Sequence, residues 1–327
     1  MNSRLKTVVK GIAYPTLDRL DVLAPSLSAY LVRRFFRLHA LNDLRIPAEY
    51  YYDCLGAYAT LYRQKPSFYK RFMDTYVFDS EGIPLYLYEG RQSYQIVQLA
   101  QFGLMEYGYY LDTHEERHRE NCLACADKLL ALQDERGGWP CDFDYPCPEV
   151  NSVLKAGWYT AMGQGQAISL FVRANALQEK EAYRTAAHRA LEVLELPVEA
   201  GGVFTKLGDL DFYEEYPTAT PSYTLNGLMF CMLGLYDGAQ IFHDEKAAGM
   251  FQTMLCTLRT ILPLYDDETV TSYDLSHVTN PPRGKLRNRK YHILHIELLQ
   301  AIDSIAHDEV FSFYINKWMR KKGGLTP

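Results

Sequence analysis

Residues 117–140, RHRENCLACADKLLALQDERGGWP, are a helix followed by a hard stop. Arg117 to Gln133 carry apolar residues at helical period. Gly137-Gly138-Trp139-Pro140 ends the pattern, because glycine supplies the left-handed turn after a helix and proline cannot prolong one. The same punctuation returns at Gly201-Gly202-Val203-Phe204, after a second helical segment from Glu181 to Leu194. Both double glycines read as stops that lead into a short extended strand. Outward from this unit, helical period recurs in residues 48–63, 93–111, 159–177, 222–242, 245–262, 292–305 and 309–320. The chain therefore holds about ten paired helices joined by brief loops. No βαβ rhythm and no long alternating strand interrupts them, and no fixed repeat of about 34 to 45 residues marks a solenoid. The expected fold is all-α, an (α/α) toroid in which inner and outer helices alternate and short β-hairpin loops rim a cleft. Residues 1–45 are expected to form an N-terminal helical arm and residues 46–327 one toroidal domain, since no low-complexity linker divides the chain.

The 327 residues are 48% apolar and carry a net charge of −6, which sustains a sizeable core in a soluble globular protein. The basic surface needed for nucleic acid is missing. The densest basic run, Arg283 to Lys290, places five Lys/Arg in eight positions. Such a run is either a solvated loop or a trap for an anionic substrate, since guanidinium groups grip carboxylates bidentately. Tyrosine is in excess, 26 against 15 phenylalanines, and phenol faces with hydroxyls suit contact with sugar rings. Of seven cysteines, Cys122 and Cys125 form one close pair without a second pair or paired histidines, which argues against zinc and for reduced thiols. No window reaches about 18 apolar residues, so neither a secretory signal nor a transmembrane segment is expected and the expected location is the cytoplasm. Ala29 to Leu41, with Arg33, Arg34, Phe35, Phe36 and Arg37, reads as a docked helix or, alternatively, as a membrane-associating surface.

Chemistry concentrates in Tyr213-Glu214-Glu215-Tyr216-Pro217-Thr218, with Asn226-Gly227 beginning ten residues after Tyr216. Two phenols and two carboxylates stand together before an apolar helix, where backbone donors are free. Taken alone, that is a helix start with favourable acidic charge. Tyrosines return in polar settings in Ser272-Tyr273-Asp274-Leu275-Ser276-His277 and in Lys290-Tyr291-His292. Together the three segments make a site for moving a proton at carbon. Gln164 and Gln166 either line a cleft or cap loops. His277 and His295 read singly as structural, Arg173 as a mid-helix ion-pair partner, Trp139 as core and Trp158 as either core or sugar platform.

Several segments resemble the C-terminal catalytic domain of D-glucuronyl C5-epimerases, which convert glucuronate to iduronate within heparan-type polymers. The resemblance runs through Gln133 to Pro140, Gly157 to Ser169, Val172-Arg173-Ala174, Tyr213 to Thr218, Leu225-Asn226-Gly227 and Leu233 to Asp237. It continues through Leu262 to Asp266, Tyr273-Asp274-Leu275, Tyr291-His292 and His295-Ile296, with eighteen residues from Tyr273 to Tyr291. A weaker match spans Tyr94 to Leu104. Only about 35 residues separate it from Gly137, so the large β-domain that divides these segments in the animal enzymes has no place here, nor has its metal. The form implied is the bacterial type. The resemblance implies catalytic roles for Glu215, Tyr216, Tyr273 and Tyr291 and substrate contact for Asn226. Tyr94, Tyr159, Gln164, Gln166, Tyr213 and His277 join them as candidate substrate contacts. The family pattern Tyr-Asp-Leu-Arg-His has Ser276 at its fourth position, which leaves Arg283, Arg287 or Arg289 to hold a uronate carboxylate. An acidic polysaccharide partner, a homodimer and the absence of any cofactor are also implied.

Inverting C5 of a uronate means taking a proton α to a carboxylate and returning one to the opposite face. The site must stabilise the enolate and carry acid/base groups on both faces. A phenol, with an ordinary pKa near 10, becomes a base when a neighbour lowers that value, and Lys290 and His292 flank Tyr291. Glu215, buried near phenols, is expected to rise instead. Tyr291 and Glu215 are the expected opposed pair, with Tyr216 and Tyr273 orienting the substrate. Two other readings stand beside this one: a polysaccharide lyase using the same carbanion, and a glycan-binding protein without catalysis. A glycosidase would need a second carboxylate, for which Asp274 and Asp142 are the candidates.

Overall fold

The computed structural model describes residues 50–58, 76–281 and 283–321. The expected arm, its segment Ala29 to Leu41 and most of the helix expected over residues 48–63 lie outside these residues. Within that last span, residues 50–58 are turns and irregular chain, not helix.

Among the described residues there are nine helices: α1 (Ile96–Thr113), α2 (Glu116–Leu132), α3 (Ala161–Leu177), α4 (Glu181–Glu195), α5 (Leu225–Ile241), α6 (Glu245–Tyr265), the single turn α7 (Ser276–Thr279), α8 (Arg289–Ala306) and α9 (Glu309–Met319). They pair as hairpins α1–α2, α3–α4, α5–α6 and α8–α9. The first member of each pair packs on the first members of its neighbours, so α1, α3, α5 and α8 form an inner layer and α2, α4, α6 and α9 an outer one. The fold is all-α, an (α/α) toroid. Composition assigns the layers. The inner helices α3 and α5 are buried along almost their whole circumference. The outer helix α4 buries only a stripe: Tyr183, Ala186, Ala187, Ala190, Leu191, Val193 and Leu194. Helices α3 and α5 meet at glycine. A Cβ on Gly234 would lie 2.1 Å from the Gly165 carbonyl oxygen, and one on Gly165 would lie 2.4 Å from Cys231 Cα.

Three small antiparallel sheets sit on this frame. The first, β1 (Val77–Phe78), β2 (Pro84–Tyr88) and β3 (Arg91–Ser93), precedes α1 and was not expected from the sequence. The hairpin β4 (Tyr145–Cys147) and β5 (Ser152–Leu154) lies between α2 and α3, and β6 (Phe204–Leu207) and β7 (Leu210–Tyr213) between α4 and α5. A strand follows Gly202 directly, as expected. After Gly138 there is only an isolated bridge, Cys141 to Trp158, before β4. The loop folds back around the indole, whose Nε1–H donates to the Phe143 carbonyl at 3.0 Å.

Each hairpin returns the chain, so the four inner helices run the same way. Residues 50–58 close their C-terminal ends. The Tyr107 hydroxyl donates to the Leu55 carbonyl at 2.7 Å and the Tyr52 N–H to Ser304 Oγ at 2.9 Å. Arg173 is wholly buried and pairs with Asp237 at 2.7 Å, while its guanidinium also donates to the carbonyls of Asp53, Gly56 and Ser169. It is the structural ion-pair partner that its mid-helix position suggested. The N-terminal ends of the inner helices are left to form the opposite, open end.

Removing Arg173 strands Asp237 as an uncompensated buried carboxylate. Arg173→Met should cost about 3–5 kcal/mol, and adding Asp237→Leu should recover most of it. Thermal unfolding of the two variants checks this; equal losses would show that the pair does not act as a unit.

Candidate active site

The chain leaves β7 extended, so successive side chains diverge. The Tyr213 ring turns into the core beside Phe204, with centroids 6.3 Å apart. Glu214 turns toward the loop before α5, accepting the Tyr223 N–H at 2.9 Å and the Ser222 hydroxyl at 3.2 Å. Burial pushes its carboxyl up to about 8. It braces Tyr223, which sits in the left-handed region at φ 52°. Glu215 turns the other way, onto the first turn of α5, where Asn226 Nδ2 donates to Oε2 at 3.0 Å. Only glycine permits this seat: a Cβ on Gly227 would stand 2.5 Å from Glu215 Cβ and 2.6 Å from Oε2. Burial pushes Glu215 up to about 7, opposed by hydrogen bonding from Tyr216 and Asn226.

In front of Glu215 lies a cleft of about 200 Å³, lined by the phenols Tyr145, Tyr216, Tyr273 and Tyr291 together with Glu149, Asp274 and Asn288. Tyr145, carried by β4, stacks on Tyr216 with centroids 5.3 Å apart and planes 9° off parallel. The Tyr273 and Tyr291 rings meet at 4.3 Å. Tyr216 lowers both Glu215 and Tyr273, and Tyr273 lowers Tyr291, so the carboxylate and the three phenols form one electrostatically coupled cluster. Tyr273 is wedged between two loops: its N–H donates to the Leu286 carbonyl at 2.8 Å, and its carbonyl accepts the Leu225 N–H at 3.3 Å. Asn288 caps α8 by accepting the Lys290 N–H at 2.9 Å, which starts the helix that presents Tyr291.

The expected lowering of the Tyr291 phenol by Lys290 and His292 does not occur. Burial pushes Tyr291 up to about 12, and Tyr216 and Tyr273 well above the usual phenol range. His292 faces away from the cleft. Its Nδ1 accepts the Thr271 N–H at 3.0 Å, which leaves Nε2–H to donate to the Trp318 carbonyl at 3.2 Å.

The four residues assigned catalytic roles converge, three lining the cleft and Glu215 directly behind Tyr216. Several assigned substrate contacts lie elsewhere. The Tyr94 hydroxyl donates to Asp79 at 2.6 Å on the first sheet, and Tyr159 donates to Asp134 beside Gly138. Gln164 and Gln166 are fully buried in α3. Arg287 pairs with Asp267, and Arg283 donates to the Pro148 carbonyl at 2.5 Å, pinning the turn after β4. His277 lies on α7, near Lys285 and Arg287, and does not line the cleft. The Arg289 side chain lies outside the described residues. Ser276 donates from Oγ to Asp274 Oδ1 at 2.7 Å, leaving Oδ2 of this buried carboxylate unpaired at the cleft wall. Tyr145, Glu149 and Asn288 were missed, and only the Asn-x-Lys cap pattern at Asn288 offered a signal. Trp158 joins the aromatic wall, 6.3 Å from Tyr216, and Trp139 the core. Among the described residues no group of three His, Cys, Asp or Glu side chains is placed to hold a metal ion, and no helix is long and apolar enough to cross a membrane.

Residues 133–320 match the family described as the D-glucuronyl C5-epimerase C-terminus. A D-glucuronyl C5-epimerase of Caenorhabditis elegans is 33% identical over 237 residues, covering 69% of this chain and 38% of that protein. An uncharacterized protein of Methanocaldococcus jannaschii is 26% identical over 207 residues, covering 61% of this chain and 64% of the other. The chain thus spans less than two thirds of the length of either relative. Among solved structures, a family 76 glycoside hydrolase from a bovine Bacteroides thetaiotaomicron strain is similar at a TM-score of 0.49 and 16% identity, over 73% of this chain and 50% of that one. The helix pairing described above stands on this chain's own packing.

Glu214 holds a proton in the folded chain up to about 8, while its ordinary value is 4.5. The folded state therefore binds more protons than the unfolded one between those values, and stability falls as pH rises through that window. Glu214→Gln keeps an acceptor for Tyr223 and removes the titration. It should gain on the order of 1–3 kcal/mol at pH 8 relative to pH 4.5, measured by denaturant unfolding at both pH values. An unchanged slope would mean that Glu214 is ionised throughout.

Proposed function

Because the chain belongs to the D-glucuronyl C5-epimerase C-terminal family, we propose that it inverts C5 of D-glucuronate to L-iduronate within a heparosan-like acidic polysaccharide, through a carbanion or enolate intermediate. The observation that carries this reading is the convergence of Tyr216, Tyr273 and Tyr291 on one cleft, with the buried carboxyl of Glu215 next to Tyr216 in the chain.

Burial supports a division of roles. With a carboxyl at about 7, Glu215 is the member of the cluster poised to exchange a proton near neutrality. The Tyr216 phenol reaches the cleft in its place, so the two act as one proton-accepting unit: Tyr216 takes the proton as the C5–H bond breaks and passes its own to Glu215. The electron pair moves into the carboxylate, which gains enolate character. Tyr291, protonated because its phenol stands at about 12, donates to C5 from the opposite face. Tyr273 touches both Tyr216 and Tyr291, and so can carry the proton that resets the pair for another turnover. The open end of the toroid gathers the N-terminal ends of α3, α5 and α8. Their partial positive charge favours an anionic substrate and the charge that develops on it.

Incubation with heparosan in D2O, followed by proton NMR, tests the reading. Loss of the glucuronate H5 signal with new iduronate resonances is expected, whereas an unsaturated uronate signal would make the protein a lyase. Glu215→Gln and Tyr291→Phe should each lower C5 exchange by about 10²-fold or more. The wild-type rate should rise with pH through about 7, where Glu215 ionises; a rate flat across that range, or near-wild-type exchange in either variant, overturns these roles.

A further inference from the structure

A uronate brings a carboxylate to the cleft, and most cations around it are already engaged. Arg287 pairs with Asp267, Lys285 faces the same carboxylate at 4.0 Å, and Arg283 donates to the Pro148 carbonyl at 2.5 Å. Lys290 is different. It stands between Asn288 and Tyr291, both of which line the cleft, and its Nζ lies 5.4 Å from the centroid of the Tyr291 ring. Among the described residues it meets no carboxylate, and its side chain is half-buried. Burial alone holds its ammonium below the usual lysine range, with no anion to offset the loss of water. It also sits in the first turn of the 18-residue α8, at the positive end of the helix dipole, where a cation is disfavoured. A partly desolvated ammonium at the wrong end of a helix opposes folding, and an arriving carboxylate removes both penalties.

We propose that Lys290 binds the carboxylate of the reacting uronate, a role that rests on the epimerase reading above. Lys290 and Tyr291 are consecutive on one helical turn. Because the Lys290 ammonium lies 5.4 Å from the Tyr291 ring centroid, a carboxylate held there sets C5, the adjacent carbon, beside the phenol that returns its proton. The same ammonium faces the charge that moves onto the carboxylate oxygens when the C5–H bond breaks. This fills the role for which Arg283, Arg287 and Arg289 were the sequence candidates, and it leaves Ser276 to orient Asp274.

The test is isothermal titration of the full chain with a heparosan tetrasaccharide and with the same tetrasaccharide after reduction of its carboxylates to primary alcohols. Wild type should prefer the uronate form by about tenfold or more, the size of one charge-assisted contact. Lys290→Met should bring the two affinities to within about twofold, and Lys290→Arg should keep the preference. Lys290→Gln serves as a second neutral variant should Lys290→Met fail to fold by circular dichroism. Equal binding of the two sugars by wild type, or an undiminished preference in the neutral variants, overturns the assignment. C5 exchange in D2O by wild type is read separately. No exchange alongside a Lys290-dependent preference refutes the epimerase reading and keeps the carboxylate site, whereas exchange alongside Lys290-indifferent binding refutes the site alone.

Discussion

The contact on which the rest of the molecule depends is the crossing of α3 and α5 at Gly165 and Gly234. Any side chain at Gly234 would collide with the Gly165 backbone, since a Cβ would stand 2.1 Å from its carbonyl oxygen. The two central inner helices therefore touch backbone to backbone, at a separation that no larger residue permits. That separation fixes where their N-terminal ends fall. Thr224 and Leu225 begin α5 beside the segment that leaves β7, close enough for the Ala161 N–H at the start of α3 to reach the Glu214 carbonyl at 3.0 Å. Glu215 then lies against Gly227, and its carboxylate has one place to go. The same helix pair carries Arg173 and Asp237, which meet at the other end, so closure of that end and the seat of Glu215 rest on the same two helices.

Burial, not the neighbouring charges, decides how the site holds its protons. Phenols gathered in a space of about 200 Å³ exclude water from one another, and each is driven away from ionisation. A cluster of this kind is a set of donors at rest. Glu215 is driven the same way, but from a lower starting value, so it arrives near neutrality while the phenols move far above it. The identical physical effect on two chemical groups thus separates a carboxyl that titrates near neutrality from phenols that stay protonated there. Nothing in this logic requires a positive neighbour for tyrosine.

The paired helices and the residues that meet at the cleft were legible because both rest on local, repeated signals. Helical period and double-glycine stops specify the hairpins, and Glu215, Tyr216, Tyr273 and Tyr291 stand in motifs whose spacing survives in one dimension. What could not be read depends on folding back. Tyr145 reaches Tyr216 only because the loop before α3 wraps around Trp158 and returns as β4 and β5. Glu214 shares a motif with Glu215 yet leaves the site, because an extended chain alternates its side chains. Tyr159 looked equally suitable for sugar contact, but its hydroxyl is committed to Asp134. The basic run after residue 282 seemed to offer several equivalent cations. Which of them are neutralised depended on Asp267 and Pro148, which the sequence could not place beside them.

Tyr273 and Tyr291 come from separate pieces of chain, and their rings meet at 4.3 Å. Three links hold the pieces. The Thr271 N–H donates to His292 Nδ1, binding the Tyr273 segment to the helix of Tyr291 at 3.0 Å. Ser272 and Arg287 form a bridge that clasps the connecting loop. Farther out, Trp318 Nε1 donates to Asp266 at 2.9 Å while its carbonyl accepts from His292, so the outer helix α9 grips both pieces through one residue. Trp318 is fully buried, although α9 is the last helix among the described residues and belongs to the outer layer. Outer helices in this toroid therefore do more than cover the inner ones. By holding His292 in the tautomer that accepts from Thr271, α9 helps tie the Tyr273 segment to the helix of Tyr291, so the support of the site extends to an outer helix whose own sequence carries no sign of chemistry.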